Sequence, residues 1–105
     1  MDMILVTGAI QGSDATIDEL LAISLDHVRR SRAEPGCISH DVHRHAEDAN
    51  RLVFVEQWAD LAALKQHFAV PESGAFVRAM SGLAVGPPSI AIYNATEIPY
   101  VLGGA

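Results

Sequence analysis

The first apolar run, Met3 to Ile10 (MILVTGAI), is short, rich in β-favouring residues and closed by Gln11-Gly12-Ser13, which predicts a buried strand. Thr16-Ile17-Asp18-Glu19 fits a capping box, with Thr16 covering free amides and Glu19 reaching back to the cap. Ile17, Leu20, Leu21, Leu25 and Val28 then recur at helical spacing. Arg29, Arg30 and Arg32 fall in the last turns, where cations offset the helix dipole, and Pro35-Gly36 ends the helix. Cys37 to Arg44 reads as a second strand and Arg51 to Trp58 (RLVFVEQW) as a third. The polar stretch Ala46-Glu47-Asp48-Ala49-Asn50 between them predicts an antiparallel hairpin. Asp60 is placed to cap a second helix that buries Leu61, Leu64 and Phe68. Pro71 suits the first turn of a short third helix, striped by Phe76, Val77, Met80 and Leu83 and stopped by Gly86-Pro87-Pro88. Ser89 to Ala95 (SIAIYNA) is a fourth strand, and the tail from Thr96 to Ala105 is expected to be loose unless a partner chain holds it.

Strand, helix, strand, strand, helix, short helix, strand is the order of a ferredoxin-like split βαβ domain. This α+β plan has a four-stranded antiparallel sheet with helices on one face. In Leu-Val-Phe-Val of the third strand both parities are apolar, so the other face of the sheet should be covered too. No helices remain to cover it, and a second copy of the chain, packed sheet to sheet as a homodimer, is the economical cover.

Composition narrows this further. The 105 residues suffice for one domain, 1–105, and half of them are hydrophobic, so a core can form. A net charge of -6 argues against nucleic acid or an anionic membrane as partner. The single Cys37 excludes an internal disulfide and fits a reducing cytoplasm. At the start of a strand it reads as a small buried hydrophobe. The N-terminal apolar run lacks a basic flank and does not read as a signal peptide, and no stretch is long enough to span a bilayer. Dinucleotide and P-loop glycine patterns, a thiolate zinc cluster and a G-x-S-x-G elbow are all missing.

Four features carry a resemblance. Glu34-Pro35-Gly36-Cys37 follows the first helix, and Asp41-Val42-His43-Arg44 lies in the second strand. Phe54-Val55-Glu56-Gln57-Trp58 ends the third strand, and Leu64-Lys65-Gln66-His67 lies on the second helix. In combination the chain resembles the antibiotic biosynthesis monooxygenase family, quinol monooxygenases among them. The resemblance implies a dimeric α/β barrel. It also implies a cofactor-independent oxygenase that attacks a phenolic, quinol or polyketide-like aromatic with dioxygen. Other relatives degrade haem or isomerise. The asparagine that hydroxylating members carry four residues before the tryptophan is Phe54 here. The strand-one asparagine of haem-degrading members is missing, and His40 stands where a tyrosine is common.

Strand alternation puts Phe54, Glu56 and Trp58 on one face of the third strand and Val53, Val55 and Gln57 on the other. A carboxylate between two aromatics is either a paired structural group or an acid/base of raised pKa. By resemblance Trp58 lines a substrate cavity, His67 faces it as the base for a phenolic proton, and Arg78 stabilises an oxyanion. Glu56 is the second candidate base, and Phe54 and His40 are expected beside the substrate. Read from the residues alone, His67 is a helix-boundary residue and Arg78 a solvated one. Two further readings stay open: a non-catalytic barrel that binds a small apolar ligand or a partner, and a haem protein ligated by His67.

Cys37 to Asp48 (CISHDVHRHAED) holds three of the five histidines and at first looks like a metal site. Alternation separates them: Ile38, His40 and Val42 face one way, Asp41, His43 and His45 the other. His45 abuts the polar turn, so no metal is expected there and none is assigned to the chain.

Overall fold

The computed structural model describes residues 2–103. The elements run β1 (Asp2–Gln11), α1 (Ile17–Ser31), β2 (Cys37–His45), β3 (Asp48–Trp58), α2 (Leu61–Ala69), α3 (Pro71–Leu83) and β4 (Ser89–Thr96). The strands form one antiparallel sheet in the order β2-β3-β1-β4, the ferredoxin-like arrangement. No helix among the described residues is long and apolar enough to cross a membrane.

The helices cover one face of β1, β3 and β2. On that face Ile10, Leu52 and Phe54 pack with Leu20 and Val28 of α1 and Met80 of α3. A second cluster joins Ile4, Val6 and Trp58 to Leu64 of α2, with the half-buried Cys37 against it. Burial, then the Glu34 carboxylate, raises the Cys37 thiol pKa, so this thiol is held protonated. On the opposite face Leu5, Val53 and Val55 are half-buried, and Tyr93 is exposed.

Several local expectations give way to tertiary contacts. The Thr16 hydroxyl caps no helical amide; it accepts the backbone N–H of Ser13 at 3.0 Å, and the Ser13 carbonyl takes the N–H of Ile17. The serine and threonine thus close a turn ahead of the helix, which leaves Glu19 nothing to reach back to. Asp60 does cap α2, accepting the Ala63 N–H at 2.8 Å. Leu61 and Phe68 are nonetheless about half exposed, because α2 turns Leu64 and His67 to the interior. Helix α3 is a thirteen-residue element in which Val77 is half exposed. The hairpin turn is tighter than its polar composition suggested: Asp48, Ala49 and Asn50 belong to β3, and the Asn50 carbonyl takes the Gly12 N–H at 2.7 Å.

Gly36 makes the α1–β2 turn with a φ of 80°. A Cβ there would sit 2.5 Å from that of Ala63, so the turn packs directly on the first turn of α2. Beyond β4, residues 97–103 form neither helix nor strand, and Ile98, Tyr100 and Leu102 are strongly exposed. The expected loose tail also included Gly104 and Ala105, which lie outside the described residues.

Candidate functional site

Between the helices and the sheet lies an apolar cavity of about 250 Å³. Its walls include Phe54, Phe76, Met80 and Ile90, and its polar groups are chiefly the imidazoles of His27, His40 and His67 and the carboxyl of Glu56. Each polar group is delivered by a different constraint. Antiparallel pairing sets His40 of β2 opposite Glu56 of β3, both on the helix-covered face. The Asp60 cap fixes the start of α2 and so the turn that carries His67. On α1 the row Leu20, Ser24, His27, Ser31 points inward, spaced four, three and four residues apart.

His67 is almost fully buried, and its Nδ1 lies 2.8 Å from Oε1 of Glu34. A carboxylate only accepts, so Nδ1 donates, a tautomer that in the neutral ring leaves the lone pair on Nε2. His27 has the opposite polarity. Nη2 of Arg30 donates to its Nδ1 at 2.7 Å, which leaves the proton on Nε2. Burial first, then the neighbouring His40, His67 and Arg30, push the His27 pKa down to about 3, so the ring is neutral. It stacks on Phe76 with centroids 4.1 Å apart.

Glu56 accepts the indole N–H of Trp58 at 2.9 Å. Nε2 of His40 lies 3.2 Å from the same oxygen, close enough for attraction but misaligned, so neither nitrogen of His40 has a hydrogen-bond partner. Burial raises the Glu56 pKa, but contact with His40, the Trp58 N–H and the nearby His67 outweigh it. The carboxyl is held below its ordinary value and stays ionised. Glu56 is therefore a paired carboxylate and not the raised-pKa acid that its aromatic neighbours suggested.

Of the residues expected at the site, His67, Glu56, Phe54 and His40 share the cavity. Trp58 is fully buried behind it, with its ring 4.7 Å from that of His67, so it backs the wall instead of lining it. Arg78 is exposed on the outer side of α3 and does not reach the cavity, because the turn of the helix that faces inward carries Ser73, Phe76 and Met80. The sequence reading missed His27 and Glu34. The inward row of Ser24, His27 and Ser31 was the available signal for His27. Glu34 had none, since only the turn at Gly36 brings it to α2.

The other histidine window disperses. A bulge between Cys37 and Ser39 takes Ile38 out of line with His40, leaving it 44% exposed. Asp41 pairs with Arg32 at 2.8 Å, and Nδ1 of His45 accepts the N–H of Glu47 within the turn.

The antibiotic biosynthesis monooxygenase family model matches residues 3–79. An uncharacterised Synechocystis protein is 35% identical over 96 residues, which cover 91% of this chain and 65% of that protein. The chain thus spans just under two thirds of that relative's length. The crystal structure of an antibiotic biosynthesis monooxygenase superposes with a TM-score of 0.83 at 25% identity, covering 90% of this chain and 100% of the other. A candidate antibiotic biosynthesis monooxygenase from Deinococcus radiodurans reaches a TM-score of 0.91 over 96% of this chain and 100% of its own. At 24% identity that likeness speaks to the fold alone. With the fold and the match over residues 3–79 agreeing, the chain belongs to the antibiotic biosynthesis monooxygenase family.

Proposed function

We propose that the chain is an oxygenase that attacks a small phenolic or quinol-like aromatic with dioxygen, with His67 as the base. One observation carries this reading: Glu34 holds the Nδ1 proton of His67, so the Nε2 lone pair is available beside an apolar cavity. The substrate hydroxyl gives its proton to Nε2. His27, neutral and protonated on Nε2, supplies a hydrogen bond to the phenolate oxygen. The anion is electron-rich enough to pass electrons to dioxygen without a flavin or metal. A carbon–oxygen bond forms, the ring hydrogen is lost, and one oxygen atom stays in a quinone product while the other leaves as water. The protein contributes orientation, a dry wall and a fixed proton acceptor. His40, Glu56 and Phe54 shape the cavity.

The half-buried apolar residues on the open face of the sheet support a homodimer, and the lone thiol supports a cytoplasmic setting. Sedimentation analysis checks the first.

Oxygen uptake over a panel of quinols and anthrols, in the presence of chelator, tests the activity. His67→Ala should lose about 100-fold or more of it, the typical contribution of a positioned base. Binding of the panel with no oxygen uptake would make the protein a carrier of apolar ligands.

A further inference from the structure

Three imidazoles reach one corner of the cavity from three elements. His27 comes from α1, His40 from β2 and His67 from α2, and each offers a ring nitrogen such that all three lie within 4.8 Å of one another. The rings form a nearly equilateral triangle, with centroids 5.2, 5.3 and 5.4 Å apart. His40 is only 1% exposed, yet neither of its nitrogens has a hydrogen-bond partner. Buried polar atoms are nearly always satisfied, and one left over points to a partner that is not a protein group.

Two carboxylates stand behind the triangle. Glu34 receives the Nδ1 proton of His67, and Glu56 lies 3.2 Å from Nε2 of His40. A carboxylate bonded as Glu34 is orients a metal-binding imidazole and raises its basicity, and Glu56 is near enough to do the same for His40 once that ring turns. They also place negative charge in a poorly solvated region, which a cation would offset.

We propose that His27, His40 and His67 bind one divalent first-row transition ion, such as zinc or cobalt, with an open coordination position towards the cavity. All-nitrogen donors favour such ions over magnesium or calcium, and three protein ligands leave room for water or substrate. His40 can turn one N–H to Glu56 and give the other nitrogen to the ion. Metal–nitrogen bonds of about 2.0–2.1 Å require the three rings to draw in by roughly 1 Å.

Arg30 opposes the ion. Its donation to Nδ1 of His27 places the proton on Nε2, the nitrogen that would face the metal. Binding must move that proton and break this contact, so Arg30 holds the affinity down. The inference does not depend on the oxygenase reading. An ion on His67 removes the lone pair that reading uses, so metal should inhibit base-dependent turnover.

The test is titration of chelator-treated, dialysed protein with Co²⁺ and Zn²⁺ alone, followed by visible spectroscopy and calorimetry. One Co²⁺ per chain, with bands of low coordination number and no thiolate charge transfer, is expected. His27→Ala, His40→Gln and His67→Ala should each weaken binding tenfold or more, whereas Arg30→Gln, whose amide oxygen can accept a hydrogen bond from a protonated Nδ1 of His27, should tighten it. His43→Ala and His45→Ala should leave it unchanged. Circular dichroism establishes that each variant folds, and Arg30→Gln tests the geometry without altering any ligand. Absence of binding by the native chain would overturn the proposal. So would binding that survives the three ligand variants but falls in His43→Ala or His45→Ala. Oxygen uptake in chelator reads the other proposal separately, so either can fail alone.

Discussion

Glu34, in the turn after α1, holds Nδ1 of His67 on α2 at 2.8 Å, across 33 residues of sequence. The bond fixes both the ring orientation and its tautomer. Glu34→Gln keeps an acceptor but loses the charge that stabilises the protonated imidazole. We expect turnover of an accepted quinol to fall about tenfold, less than the loss in His67→Ala, since general-base catalysis contributes about 10²–10⁴-fold in total. Oxygen-uptake kinetics check this, with kcat expected to fall while KM changes little, and an unchanged kcat would count against a positioning role for Glu34.

His27 makes stability depend on pH. The folded chain keeps it neutral down to about pH 3, whereas the unfolded chain protonates it near its ordinary 6.5. Between those values the unfolded state binds more protons, so stability is full above about 6.5 and declines as pH falls towards 3. Glu56 acts in the same direction at lower pH: its folded pKa is depressed, so its contribution is present above 4.5 and is lost as pH falls through the folded value. Urea unfolding in chelator should show a loss of a few kcal/mol from pH 7 to 4, flattened in His27→Gln.

Glu56→Leu leaves the Trp58 indole N–H without its acceptor and His40 without its nearest carboxylate. The expected cost is about 1–3 kcal/mol, the penalty of one stranded buried donor. Glu56→Gln keeps an acceptor oxygen for Trp58 and should cost less. Chemical denaturation of the two variants side by side makes the comparison.

Gly36→Ala places a Cβ 2.5 Å from that of Ala63 at a φ of 80°. The backbone conformation alone costs about 1–3 kcal/mol in a non-glycine residue. The overlap also pushes the first turn of α2, and with it His67, away from Glu34. Thermal unfolding should show a lower midpoint. Adding Ala63→Gly should recover the part due to overlap and not the part due to backbone strain.

Much of the fold was legible because periodicity reports which face of an element is buried. The apolar run of β1, the alternation of Phe54, Glu56 and Trp58 and the Asp60 cap all depend on neighbours within a turn or a pleat. Tertiary contacts overrode local pattern where two signals competed. Asp48–Asn50 looks like a turn, yet pairing and the Gly12 N–H draw it into β3. Phe68 is more apolar than His67, yet the histidine is the buried one, bonded to Glu34, while Phe68 lines the cavity and stays about half exposed.

The sequence by itself determined the order of elements, the sheet they build and the placing of Glu56 and His40 on faces that would be buried, because those depend on spacing along the chain. Only the tertiary structure decided that His27, 13 residues before His40 and 40 before His67, completes a triangle with them. It also decided that Glu34 belongs to His67 and that Arg78 stays outside. The physical reason is that a site assembled from separate elements depends on how helices rotate and dock on the sheet. That rotation is set by the whole core, by Gly36 against Ala63 and by Leu64 against Trp58, and not by any local run of residues.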